Sequence, residues 1–244
     1  MSRVICLQLD FVIKEDMTVN LYLLANLIVC ACAMFGFVMG AVQFFRPKKA
    51  LYGQMITLAM LCVVIGRLFN VVRILSGGDL QDGFQLGFLG FIGSFMFFYS
   101  SNYGTLNTLV DDGSKQFFKY RIISLIAPIL FIGSFFLLFF TDQISRMWQI
   151  QGGVLLFFTA LCSYFHVKHL IFPDIDYGVV RSLRPYNFLA LLYMISSIVE
   201  CYALSRDDEM MALIACCCSA VFLLIMMPLI SRGLKRWKVR RARS

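Results

Sequence analysis

Residues 18–49 have the sequence TVNLYLLANLIVCACAMFGFVMGAVQFFRPKK. A long apolar run ends here at a proline flanked by basic side chains. A helix needs roughly 20 apolar residues to cross the hydrocarbon core of a bilayer, which is about 30 Å thick. Basic residues directly after such a run are typical of the cytoplasmic end of a spanning helix. The stretch therefore predicts a membrane-spanning helix over residues 18–45.

The rest of the chain shares this apolar composition. Of its 244 residues, 60% are hydrophobic and 15% are charged, and the mean hydropathy is +0.79. Soluble domains average about 45–50% apolar and about 25% charged residues. A soluble fold of this length buries only about 70–75% of its surface. So much apolar surface favours a lipid bilayer as the solvent.

Six further stretches are long and apolar enough to span a membrane. We therefore predict an all-α bundle of seven transmembrane helices within residues 18–231, with connections too short for a second domain. Residues 1–17 are expected to form a short extracellular tail, and residues 232–244 a basic cytoplasmic tail. The predicted helices cover residues 18–45, 51–75, 84–110, 122–141, 152–172, 187–204 and 210–231.

Lysine and arginine are distributed unevenly between the connections. Most of the 22 basic residues fall in alternate connections and in the tail after the seventh stretch. Because cytoplasmic loops carry an excess of Lys and Arg, this pattern predicts an outside N-terminus and a cytoplasmic C-terminus in a plasma or inner membrane. The net charge of +8 is then a topology signal, and no nucleic-acid partner is expected.

Two ionisable residues lie well inside predicted helices, Arg67 in the second and Glu200 in the sixth. Such residues are costly in lipid and usually face the bundle interior. Both helices run outward, so both residues lie in the outer half and can form an ion pair. Other polar residues share that level, which predicts an outward-facing pocket for a small polar or charged ligand. Its candidate residues are Asn26, Arg67, Asn70, Arg73, Glu200 and Tyr202.

A structural role for the same residues stays open. The Arg67–Glu200 pair would then only lock the bundle, and Arg73 would extend along the helix to reach the outer surface.

Glycines recur through the third stretch at Gly83, Gly87, Gly90 and Gly93. A phosphate-binding glycine motif requires a preceding strand and a turn into a helix, whereas these glycines lie inside an apolar helix. Small residues there let neighbouring backbones approach closely. We expect the glycines to serve helix packing.

The inner end of the same stretch is polar and closes with Asp111 and Asp112. Acidic residues at a helix C-terminus oppose the helix dipole. We expect these carboxylates to be paired, with Arg46 or Lys48 as candidate partners.

The sequence offers little for metal or cofactor chemistry. His166 and His169 are the only histidines, and no further ligand obviously joins them, so they are expected at the membrane interface. The nine cysteines lie mostly in apolar stretches, where free cysteine behaves as a small hydrophobic residue. We expect no metal and no cofactor, and since no catalytic motif is found, we do not expect an enzyme.

Seven helices with an outside N-terminus fit several classes of membrane protein. They include rhodopsin-like and G-protein-coupled receptors, but retinal-binding proteins need a lysine in helix seven, which is missing here. At the inner end of helix three, residues 109–112 read LVDD in place of the Asp-Arg-Tyr motif of the receptors. Sugar transporters built from two three-helix repeats carry prolines that most of these helices lack, so no family is identified. We expect a receptor-like or sensory protein that signals through a cytoplasmic partner at its basic face. The alternative is a transporter or channel for a small solute or ion that uses the Arg67–Glu200 pair.

Overall fold

The structure is a computed structural model that describes residues 2–46, 50–78, 85–107, 111–141, 143–173 and 179–241. Side chains are described within these ranges except at residues 2–20, 105, 179 and 238–241. The fold is 88% helix, and the described residues contain no strand. The predicted all-α class is therefore confirmed.

Eight α-helices occur in the described part of the chain. The third, α3, continues directly into a π-helical segment, Ser101–Leu106, and a short 3-10 turn, Lys115–Phe117, precedes α4. The helices are α1 Ser2–Phe44, α2 Leu51–Leu75, α3 Gly87–Ser100, α4 Phe118–Ser124, α5 Ile126–Leu138, α6 Arg146–Ile171, α7 Val179–Ser205 and α8 Glu209–Arg241.

Six segments of the described residues are long and apolar enough to cross a membrane. One of them, Lys115–Leu138, joins the 3-10 turn, α4 and α5, and only 6% of its apolar window is buried. Its Leu130 is 67% exposed and its Leu137 80% exposed. Water would be a poor solvent for this surface, and the six segments together indicate a multi-pass membrane protein. The predicted third helix is not among the six because it is divided between α3 and the π-helical segment.

Several helix ends differ from the predicted ones. Helix α1 begins at Ser2, α7 begins at Val179 with Pro185 inside it, and α8 continues to Arg241. Hydropathy detects only the part of a helix that matches the hydrocarbon core, so polar extensions of the same helix are missed. The predicted fourth helix is instead interrupted at Leu125, just before Pro128, because proline lacks a backbone N–H and crowds the carbonyl of the preceding turn.

The long helices pack as a ring. Helix α1 packs on α2, α2 on α3, α3 on α6, α6 on α7, α7 on α8, and α8 returns to α1, while α5 lies outside against α6. Helices α2 and α7 consequently face each other across the ring. Residues of both helices can meet only in its interior.

Glycines allow a close backbone contact between α2 and α3. A Cβ atom added at Gly90 would lie 2.6 Å from the carbonyl oxygen of Cys62 and 2.6 Å from Cα of Gly66. Backbone thus meets backbone, and no side chain can move aside. The predicted packing role is confirmed for Gly87, Gly90 and Gly93, whose added Cβ atoms would meet α2; Gly83 lies outside the described residues.

Gly90→Ala should therefore destabilise the fold by about 1–3 kcal/mol, the usual range for overpacking a tight contact. The measurement is thermal or denaturant unfolding of the protein in detergent micelles. Gly133→Ala in α5 is the matched control, because nothing lies within 4 Å of a Cβ atom added there. Equal stability of the two variants would contradict the close α2–α3 contact.

Candidate functional site

A buried ion pair occupies the interior of the ring. Arg67 and Glu200 are each only 1% exposed, with Nη1 2.5 Å from Oε1 and Nη2 2.6 Å from Oε2. This two-point contact is the strong geometry for a guanidinium and a carboxylate. The predicted pair is present, and it joins α2 to α7 across the ring.

Helix α1 supplies a hydrogen bond to each member of the pair. The hydroxyl of Tyr22 donates to Oε1 of Glu200 over 2.8 Å. Nη1 of Arg67 donates to Oδ1 of Asn26 over 2.9 Å, and the amide of Asn26 is oriented by its own bond to the Tyr22 carbonyl. Tyr22 and Asn26 are four residues apart, so they share one face of α1.

Helices α8 and α3 complete the surroundings of Arg67. The sulfur of Cys216 lies 3.3 Å from Nη1, and the ring centroid of Phe91 lies 4.7 Å from the guanidinium carbon. An aromatic face attracts a cation, more strongly where water is excluded. Five helices therefore contribute to one buried cluster, which we call the outer cluster after the outer half of the membrane predicted for Arg67 and Glu200: Tyr22, Asn26, Arg67, Phe91, Glu200 and Cys216.

The other predicted site residues lie outside this cluster. Asn70 is 5% exposed and lies against Gly87 of α3, and the half-buried Arg73 lies beside Gly78. Tyr202 packs edge-to-face on Phe139, with ring centroids 5.9 Å apart. Residues two positions apart face different sides of a helix, which explains why Tyr202 does not follow Glu200 into the interior.

A second polar contact crosses the ring nearer its other end. The hydroxyl of Tyr52 donates to Oδ1 of Asn102 over 3.4 Å, and Nδ2 of Asn102 donates to Oδ1 of Asn187 over 2.9 Å. All three residues are buried. Asn102 lies in the π-helical segment, whose wider turn changes the direction of the side chains after α3; such segments are frequent at functional sites. We call these three residues the inner cluster.

Aromatic rings fill the space between the two clusters. Phe95 and Phe98 of α3 meet Tyr193 of α7 edge-to-face at 6.1 and 6.2 Å. At 1.5 Å per residue, the stretch of α2 from Arg67 to Tyr52 places the clusters roughly 20 Å apart. The interior therefore contains an aromatic layer between two polar clusters.

Asp111 is paired, but not with the residues predicted for it. Its carboxylate accepts hydrogen bonds from Arg121 at 2.5 and 2.8 Å and from Lys168 at 2.6 Å. The expectation of Arg46 as partner is wrong, because the loop brings Asp111 to α4 and α6; Lys48 lies outside the described residues. The Arg121 and Lys168 cations hold the pKa of the Asp111 carboxyl well below its usual range.

The two histidines are buried within the protein. His166 is 0% and His169 1% exposed, and Nδ1 of His166 lies 2.9 Å from the carbonyl oxygen of Cys162. Lys168 between them extends to Asp111, so this end of α6 faces protein. Within the described ranges, no group of three or more His, Cys, Asp or Glu side chains could hold a metal ion.

No protein-family model, curated protein or solved structure matches the chain. What the protein does must therefore be inferred from the contacts of its own residues.

The sequence predicted Arg67, Glu200 and Asn26 as site residues and a polar, hydrogen-bonded inner end of the third helix that includes Asn102. It did not predict Tyr22, Phe91 or Cys216, nor the contacts of Asn102 with Tyr52 and Asn187. A tyrosine near a helix end is typical of any membrane interface, so Tyr22 carried no distinctive signal. Asn187 was assigned to the first residue of a helix, where a polar side chain is ordinary. Its true place inside α7 would have made it a candidate.

Removing one partner of the ion pair should destabilise the protein strongly. Arg67→Met or Glu200→Leu alone should each cost about 3–5 kcal/mol, because the remaining charge stays buried and unpaired. The double variant should cost much less than the sum. Denaturant unfolding in micelles measures this double-mutant cycle, and additive costs would contradict the coupling. Arg206→Met is the control, since Arg206 is exposed and exposed substitutions usually change stability by less than about 0.5 kcal/mol.

The lowered pKa of Asp111 predicts a loss of stability in acid. A carboxyl whose pKa is depressed in the folded state stabilises the protein fully at pH values above its unfolded-state pKa of about 3.9. This stabilisation is lost as the pH falls through the folded-state pKa. Asp111→Asn should reduce stability at neutral pH and flatten the stability profile between about pH 4 and pH 2. Unfolding in micelles across this range is the measurement. Asp207→Asn, at an exposed position of positive φ that asparagine tolerates, should leave the profile unchanged.

Proposed function

We propose that this chain is a receptor-like or sensory membrane protein with seven spanning helices, an outside N-terminus and a cytoplasmic C-terminus. A small polar or charged ligand would enter from outside and act on the outer cluster. The observation that carries the proposal is the Arg67–Glu200 pair, which bridges opposite sides of the ring. A cytoplasmic protein partner at the basic face would receive the signal.

The seventh span is α3 together with the π-helical segment. Residues 87–106 are continuously helical and about 30 Å long at 1.5 Å per residue, which matches the hydrocarbon thickness. Arg46 at the end of α1 and Lys235 in α8 line one cavity, so two basic segments share one end of the bundle. This supports assigning that end to the cytoplasm of a plasma or inner membrane.

A ligand that opens the outer cluster must compensate both of its charges. Separating Arg67 from Glu200 would leave two buried ions without partners, at a cost of several kcal/mol each. A zwitterion avoids this cost, because its carboxylate can replace Glu200 at the guanidinium while its cation replaces Arg67 at the carboxylate. Free amino acids are the simplest probes with both groups.

The inner cluster offers a way to transmit such a change. Tyr52 lies on α2 and Asn187 on α7, so the helices joined by the ion pair are joined again through Asn102 about 20 Å away. A shift of α2 relative to α7 would strain this second contact. A signal results only if the ligand binds one arrangement of the bundle better than the other.

A transporter is the second candidate, and one observation favours it. In the interior, Nε2 of His166 is buried without a hydrogen-bond partner among the described residues. The buried hydroxyl of Tyr186 lies near Ser101 and Tyr52, and that of Tyr193 near Ser94 and Ser197, but neither forms a well-aligned hydrogen bond with a described residue. An unmade buried hydrogen bond costs about 1–3 kcal/mol. A polar solute passing through the interior would satisfy these groups, and the two clusters would then act as gates.

Binding and flux distinguish the two functions. For a receptor, millimolar amino acid should raise the unfolding temperature of the purified protein in micelles, and proteoliposomes should show no uptake of the same radiolabelled amino acid. For a transporter, uptake should accompany the stabilisation. Arg67→Ala and Glu200→Ala should abolish either response, whereas Arg206→Ala, at an exposed arginine, should retain it.

The comparison is made below the unfolding temperature of each variant, with helicity verified by circular dichroism. Both functions fail if neither amino acids nor other small charged solutes stabilise the parent protein. The proposed binding role of the outer cluster fails if Arg67→Ala and Glu200→Ala respond like the parent.

A further inference from the structure

A cavity lies at the end of the bundle where α1 leaves the ring and α8 continues beyond it. It has a volume of about 270 Å³ and lies between the last turn of α1, the start of α2 and the basic part of α8. It is separate from the outer cluster, since none of its lining residues belongs to that cluster.

Cations and hydrogen-bond donors line one part of this cavity. Arg46 and Lys235 line the cavity and are exposed, and neither forms an ion pair with any of the described residues. Nε1 of Trp237 is buried and has no acceptor within the described part of the chain. The hydroxyl of Ser231 donates to Oε1 of Gln43 over 2.5 Å, which leaves the Gln43 amide nitrogen as a further donor. The site therefore offers positive charge and donors, the requirements of an oxyanion.

The rest of the cavity wall is apolar. Val42 and Phe44 of α1 and Leu234 of α8 line it, so the donors lie directly beside a hydrocarbon surface. The cavity lies at the ends of two membrane-spanning segments, Leu21–Phe44 and Glu209–Trp237. Such ends lie at the level of the lipid headgroups. A free phosphate ion would use only the polar part of this cavity, whereas a phospholipid would use both.

We propose that this cavity binds an anionic glycerophospholipid, with the headgroup phosphate contacting Arg46, Lys235 and the indole N–H of Trp237. The adjoining glycerol and acyl carbons lie along Val42, Phe44 and Leu234. A bound lipid of this kind joins α1 to α8 and neutralises cations that the protein itself leaves unpaired among its described residues. The site requires neither the proposed ligand at the outer cluster nor a particular orientation in the membrane.

The test is lipid binding to the purified protein by native mass spectrometry, with phosphatidylglycerol and phosphatidylcholine of identical acyl chains. Phosphatidylglycerol should bind more tightly. Arg46→Gln and Lys235→Gln should each weaken its binding about fivefold, the usual contribution of one cation near an anionic lipid. Trp237→Phe, which keeps an aromatic ring and removes only the donor, should also weaken it.

Arg232→Gln is the matched control, because Arg232 is an exposed cation of α8 outside the cavity. Equal losses in Arg232→Gln and Arg46→Gln would indicate diffuse attraction to the basic segment and overturn the site. Equal binding of the two lipids would overturn its selectivity for an anionic headgroup. Displacement of phosphatidylglycerol by millimolar inorganic phosphate would assign the cavity to free phosphate, whereas persistence of the bound lipid supports the proposal. The Gln variants change exposed side chains, and circular dichroism verifies that each remains folded.

Discussion

Two opposite charges held away from both water and lipid impose the main constraint on this fold. An unpaired Arg67 or Glu200 inside an apolar bundle would cost several kcal/mol, so the ring must close with their side chains in contact. Because α2 and α7 are not neighbours in that ring, the pair determines how far apart its opposite walls can lie. The hydrogen bonds from α1 and the thiol from α8 then fix the rotation of two further helices.

The glycine contact between α2 and α3 serves the same cluster. Gly66 and Gly90 allow the two backbones to touch, which brings α3 close enough for the Phe91 ring to cover the guanidinium. Gly66 directly precedes Arg67 in the chain. Close packing and charge burial are thus linked at one point of α2, and a larger residue at either glycine would move the aromatic face away from the cation.

Hydropathy and helical spacing were sufficient to predict the helical class, most of the spans and the Arg67–Glu200 pair. A charged residue in an apolar helix is conspicuous, and helix direction gives its depth, so a pairing across the bundle could be inferred. The partners of Asp111 could not, because they depend on the path of a loop rather than on periodicity. The contacts within the inner cluster were missed for a similar reason, since neither the π-helical turn that directs Asn102 nor the early start of α7 leaves a mark in the hydropathy pattern.

The treatment of charge differs sharply between the interior and the α1–α8 end of the bundle. In the interior, Arg67 forms an ion pair with Glu200. In the loop that follows the π-helical segment, Asp111 forms ion pairs with Arg121 and Lys168. At the α1–α8 end, Arg46 and Lys235 face a shared cavity without a carboxylate from any described residue. Burial is the physical difference: a buried cation needs a carboxylate from the protein, whereas the exposed Arg46 and Lys235 can be neutralised by an anion from the surroundings, which at the proposed site is a headgroup phosphate.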